Sequence, residues 1–209
     1  MVIKERRLAG VCGLVFAVTT MAAFILANPP GGKFHAGDVA DFVAQSHRTA
    51  VIASLYLMLL SAVSLLGLGV YLRRAAFGDS GSGRLFTGLV VAAATSFFAG
   101  WTLVVTPAAA QSIGDAPTID PGVAYTFMQA GFGVMLVGGG LMLGAALLTL
   151  AVAGRHEPAW LRGFAAVAGI GGLATPAFFP FFLVLLFGLV AGIWLLASGR
   201  SPAAQAVTA

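Results

Sequence analysis

The stretch AVIASLYLMLLSAVSLLGLGVYL, Ala50 to Leu72, carries no Asp, Glu, Lys or Arg and is closed at once by Arg73-Arg74. A bilayer crossing takes about 20 residues of apolar helix, so this segment alone suffices for one span. The arginine pair marks an end that stays out of hydrocarbon. Working outward, five more apolar stretches complete a set: Leu8–Ala27, Leu85–Ala110, Val123–Ala153, Leu161–Thr175 and Ala177–Ala197. The only charged residue within these bounds is Arg162, at the edge of the fifth. Backbone polar groups in hydrocarbon must be bonded within the chain, and the alternating pattern of barrel strands is absent, so the spans read as helices.

Composition agrees. The 209 residues are 59% hydrophobic and 9% charged, with a mean hydropathy of +0.99. A soluble domain carries about 25% charge, and disorder needs low hydrophobicity with high charge; both classes are excluded. The expected fold is all-α, a polytopic membrane helical bundle of six transmembrane helices in one domain over residues 1–200. A small, polar tail follows at 201–209.

The first span needs separating from a signal peptide. Lys4, Arg6 and Arg7 form a basic start, and Ile25-Leu26-Ala27 loosely fits a cleavage site. However, Leu8–Ala27 exceeds the 7–15 residues of an ordinary signal core, and further spans follow it. It reads as an uncleaved helix. The single Cys12 lies inside this span, away from any lipidation position and without a partner for an intrachain disulfide.

Orientation follows from the basic residues. With the N-terminus cytoplasmic, that side receives Lys4, Arg6, Arg7, Arg73, Arg74, Arg84, Arg155, Arg162 and Arg200, against Glu5, Asp79 and Glu157. The opposite side receives Lys33 and Arg48 against Asp38, Asp41, Asp115 and Asp120. The net charge is +6 inside and −2 outside, and both termini are expected in the cytoplasm of a bacterial plasma-membrane protein. The basic residues are therefore topology signals that can also meet anionic headgroups. No basic run interleaved with aromatics points to nucleic acid.

The longest outer connection runs from Asn28 to about Thr49. Pro29-Pro30-Gly31-Gly32 stops the first helix. Asp38 is a candidate N-cap for a short helix in the outer interface, with Val39, Phe42 and Val43 on one face. Gly78 to Gly83 reads as a flexible inner loop, and Asp120-Pro121 as a cap followed by a first-turn proline. Val123–Ala153 is longer than a perpendicular crossing needs, so it tilts or projects. The last two spans are short; they read as two full crossings, the alternative being a hairpin that stops below the outer surface. Trp101, Trp160, Trp194 and Tyr71 fall toward span ends, where amphipathic rings prefer to sit.

Charged groups deep in a membrane are retained for function, and these spans hold no Asp, Glu, Lys or Arg at depth. That argues against proton pumping, ion-coupled transport, voltage sensing and aspartyl proteolysis. No repeat relates the two halves. A haem held between helices would need two embedded histidines, whereas His35, His47 and His156 lie in or beside loops. No cofactor is expected. The outer cluster His35, Asp38, Asp41, His47 and Arg48 either binds a divalent metal, as a metal-dependent enzyme would, or caps a helix and anchors it at headgroups. Ser54, Ser61, Ser64, Tyr125 and Gln129 either line a small polar cavity or bond neighbouring helices. Gly140 and Gly144 form a small-xxx-small pair suited to packing within the bundle or to a second copy.

The basic start Lys4–Arg7, the segment Asp41-Phe42-Val43-Ala44-Gln45-Ser46-His47-Arg48 and the pair Arg73-Arg74 form a pattern. It resembles small six-helix membrane proteins of unknown function from high-GC actinobacteria. The resemblance covers the arrangement of helices 1 to 4 and brings no activity or catalytic residue. The leading expectation is a non-catalytic accessory or structural subunit, packing in the bilayer with itself or a membrane partner. The alternative is a transporter or binding protein for a small apolar or lipid-like ligand. Alkaline phosphatase fused at Gly114 is expected to be active and a fusion after Arg74 silent, while a fluorescent protein after Ala209 should mature; the opposite pattern would reverse the orientation.

Overall fold

Four helices in the computed structural model are long and apolar enough to cross a membrane: Lys4–Ala27, Thr49–Ala76, Gly81–Gln111 and Pro121–Ala153. The structure describes residues 2–44, 48–111, 118–154, 157–177 and 181–198; His47, Asp115, Arg155, His156 and the tail 201–209 lie outside them. Along the chain run α1 (Val2–Ala27), α2 (Ala36–Val43), α3 (Arg48–Ala76), α4 (Gly81–Gln111) and α5 (Pro121–Phe132). A π-helical segment (Gly133–Gly139) leads without a break into α6 (Gly140–Ala153), followed by α7 (Ala159–Leu173), a 3-10 turn (Thr175–Ala177) and α8 (Phe181–Ala197). No strand occurs among the described residues. The protein is an all-helical bundle and a membrane protein.

The helices close into a ring. α1 packs on α3 and α8, α3 on α4, α4 on α5 and α6, α6 on α7, and α7 on α8. Glycine governs several of these crossings. A Cβ on Gly131 would stand 2.5 Å from the Gly100 carbonyl oxygen where α5 crosses α4, and one on Gly13 would stand 2.6 Å from that of Gly188 on α8. Between α6 and α7, a Cβ on Gly172 would lie 2.5 Å from the Gly144 Cα. Such contacts leave no room for any side chain, and the backbones gain dispersion along the whole crossing. On the bundle axis Phe16, Leu68, Phe86, Leu143 and Val184 enclose a void of only about 20 Å³, with no polar lining.

The basic side chains gather at one end. Arg73 and Arg74 occupy the last turn of α3. Arg6 donates to the Ser198 hydroxyl and lies 4.9 Å from the Trp194 ring centre, with Trp160 edge-on against Trp194. We call this the basic end and the other, with Asp38, Asp41 and Asp120, the acidic end.

Asp120 caps α5, accepting from the Gly122 and Val123 amides at 2.8 and 3.1 Å, with Pro121 in the first turn. Asp38 does not cap α2: the helix starts earlier, at Ala36, with His35 in the cap position and Asp38 inside the first turn. There the carboxylate still faces the positive end of the helix dipole. Val39, Phe42 and Val43 are buried as one face, but against α4 and α5 rather than in lipid. Gly81-Ser82-Gly83 are helical because the Ser80 hydroxyl accepts from the Gly83 amide and starts α4 four residues before the apolar run.

α7 and α8 are short. Their 15 and 17 residues rise about 22 and 25 Å at 1.5 Å per residue, against a hydrocarbon core of about 30 Å. The 3-10 turn that follows α7 meets the middle of the Pro121–Ala153 helix, with Thr175 over Gly140. Phe181, opening α8, meets Phe24 and Phe97. All of α5 extends beyond that level. Replacing Gly131 by Ala is expected to destabilise the bundle by about 1–3 kcal/mol in detergent unfolding. Gly88→Ala, where a Cβ meets nothing within 4 Å, should be neutral or gain up to about 1 kcal/mol from helix propensity.

Candidate functional site

The residues expected to line one polar cavity fall into two groups. On α3, Ser54 is fully buried; its hydroxyl donates to the Val51 carbonyl and accepts from the Trp101 indole N–H at 3.1 Å. Ser61 shares a 2.6 Å hydroxyl–hydroxyl bond with Thr20 of α1, both beside the Phe16 carbonyl, and Ser64 is buried nearby. Ser54 and Ser61 thus tie α3 to its neighbours. Trp101, placed by sequence toward a span end, is instead fully buried at this junction.

On α5, Tyr125 and Gln129 face elsewhere. The Tyr125 hydroxyl donates to the Gly32 carbonyl, its ring meets Phe34 edge-on, and Gln129 is exposed. Trp101 intervenes between the groups: its indole is bonded to Ser54 and its ring lies 4.8 Å from Phe24. Phe24 and Gln129 line the same cleft.

His35, Asp38 and Asp41 are exposed on or beside α2, Arg48 begins α3, and His47 lies outside the described residues. Among the described residues no three His, Cys, Asp or Glu side chains come together to hold a metal. Gly140 and Gly144 are covered from within: Thr175 sits over the first, and Gly169, Gly172 and Leu173 crowd the second.

A cleft of about 780 Å³ opens between the acidic end of α1 and the α5–π segment, lined by Phe24, Ile25, Asn28, Gln129, Phe132 and Leu136. Its origin is a mismatch of lengths. Pro29-Pro30 ends α1, and Asn28 takes a left-handed φ of 42° that turns the chain aside. α7 and α8 stop lower still, so neither helix follows α5 upward on this flank. The Pro29–Gly32 segment arches over the gap and is pinned by Tyr125. The walls are apolar, with the Gln129 and Asn28 amides as polar groups. A volume of this size suits a small-molecule site. Of these lining residues only Gln129 stands out in the sequence; Phe24, Ile25, Asn28, Phe132 and Leu136 do not. The usable signal was the double proline ending a span that neighbours a longer one.

No family model, curated protein or solved structure matches this chain, so the cleft is read from its own geometry. Tyr125→Phe removes a hydrogen bond of about 1 kcal/mol. Amide exchange across residues 31–35 is expected to quicken roughly five-fold, with exchange in α3 unchanged.

Proposed function

We propose that this protein binds a small apolar or lipid-like molecule in the cleft between α1 and α5, as a transporter or binding protein of the bacterial plasma membrane. The cleft itself carries this reading: about 780 Å³ of largely apolar wall with Gln129 and Asn28 at its polar points. One or two amides in an apolar cleft orient a ligand without demanding charge. The void enclosed by Phe16, Leu68, Phe86, Leu143 and Val184 holds only about 20 Å³, too little for a ligand, so entry is from the flank.

The basic end is assigned to the cytoplasm, with both termini there, and α7 and α8 are taken as the last two of six membrane helices. The supporting observation is the asymmetry of Lys and Arg between the two ends. Neither α7 nor α8 has length to spare for tilt, and the pair leaves the outer part of α5 free for the cleft.

A reading as an accessory subunit rests on the glycine faces and on the absence of buried charge. Gly140 and Gly144 are filled by α7 and the turn after it, so they offer no surface to a second copy. Protein purified in mild detergent should retain about one extractable apolar molecule per chain, detected by mass spectrometry. Gln129→Trp, which fills the cleft from an exposed position, should reduce that retention at least several-fold. A wild-type protein that carries nothing, or a variant that retains as much, would overturn the assignment.

A further inference from the structure

The cleft is closed on one side and open on another. Asn28, Pro29 and Gly31 form a wall with the α1–α5 cleft on one side and the depression bordered by Asp38 and Asp41 on the other. The wall continues into Gly32, whose carbonyl accepts from the Tyr125 hydroxyl, and into Phe34, whose ring meets Tyr125 edge-on. The arch therefore roofs the cleft toward the acidic end and separates it from both carboxylates. Toward the bilayer the cleft is open, since Ile25 on its border is 73% exposed. No charged side chain among the described residues lines it. Its polar side chains are the amides of Asn28 and Gln129, one from each wall, and neither has a hydrogen-bond partner among the described residues. Phe24 lies one helical turn, about 6 Å, from Asn28 toward the basic end, and Leu136 lies on the same side of Gln129. The amides thus stand at the roofed end, with apolar walls beneath them.

From this arrangement we infer that the ligand is an uncharged lipid whose polar end is a small hydrogen-bonding group, a hydroxyl or a carbonyl, and not a phospholipid. The inference rests on the cleft being a ligand site and states what that site takes. The polar end lies under the arch between the Asn28 and Gln129 amides. The adjoining body lies against Phe24, Phe132 and Leu136, and the rest of the chain stays in the bilayer past Ile25. A tail moving from bilayer to cleft exchanges one hydrocarbon for another, so it contributes little selectivity. The polar end has to set the preference. A phosphate under the arch would lose water and find no cation: Lys33, the base next to the arch, is exposed and does not line the cleft. Burying an unpaired charge costs far more than burying a hydroxyl or carbonyl that is bonded. An amide bonds a donor or an acceptor equally, so both neutral ends fit. A pure hydrocarbon would leave both amides unpaired.

The test is native mass spectrometry of the full chain in mild detergent. The added probes are dipalmitoylglycerol for the hydroxyl end, a short-chain menaquinone for the carbonyl end, squalene as a hydrocarbon without a polar end, and dipalmitoyl phosphatidylethanolamine and phosphatidylglycerol. At least one of the two neutral polar lipids should be retained about tenfold better than either phospholipid, and the one preferred identifies the polar end. The double variant Asn28→Gly/Gln129→Leu should bring retention of that lipid close to that of squalene without lowering squalene itself. Glycine keeps the left-handed backbone at position 28, and leucine takes an exposed position. Tyr125→Phe, which loosens the arch, should admit more phospholipid and narrow the tenfold preference several-fold. Phospholipid retained as well as both neutral polar lipids by the wild type, or a preference over squalene that survives loss of both amides, overturns the inference. A charged molecule carried through purification in place of the probes does the same. A preference indifferent to Tyr125→Phe overturns the role of the arch. If any of these happens while Gln129→Trp still removes bound molecules, the cleft reading stands without this inference. A wild type that retains none of the probes and carries no other molecule overturns both.

Discussion

Two helices in a bilayer gain nothing by hiding leucines from each other, because the lipid tails they displace are equally apolar. What holds this bundle is the approach of one backbone to another where side chains are missing. Gly100 against Gly131, Gly13 against Gly188 and Gly192, and Gly144 against Gly169 and Gly172 set three crossings of the ring. Hydroxyl pairs such as Ser61 with Thr20, and the indole bond from Trp101 to Ser54, add direction at a modest energy each. The crossings fix the heights of the helices relative to one another, and everything at the acidic end depends on those heights.

The cleft is a product of those heights. α5 and α6 form one continuous helix, and α7 is held against its lower half by Gly144 and Gly172. Its partner α8 is held against α1 by Gly13 and Gly192, and the described part of the turn between them, Thr175–Ala177, lies at the level of Gly140. α1 is ended by Pro29-Pro30 about a turn above that. The upper part of α5 is left with α4 and α2 as neighbours and an open flank toward α1. The π segment lies at the floor of this flank, at a place where such irregularities are often found.

Much of this was legible along the chain. Apolar length and charge placement are properties of residues met one at a time, and they delivered the helices, the basic end and the start of α5 at Asp120-Pro121. Asp38 was misread as a cap because Asp at the cap and Asp in the first turn are both favoured by the same helix dipole. Packing of Val39, Phe42 and Val43 on α4 and α5 decided between them. The π segment was invisible because a helix apolar on all sides has no stripe whose period can change. The serines and Gln129 looked equivalent because both are mild polar groups in apolar helices; only their facing directions separate them.

By itself, then, the sequence determined the solvent, the helical class and the asymmetry between the two ends, since each follows from local transfer energies and from the need to satisfy backbone hydrogen bonds in hydrocarbon. Tertiary structure decided which glycines meet, which hydroxyls are consumed and where the flank stays open. Those outcomes depend on the relative heights of helices distant in the chain. Heights are set by shape at the crossings, and no single segment carries that information.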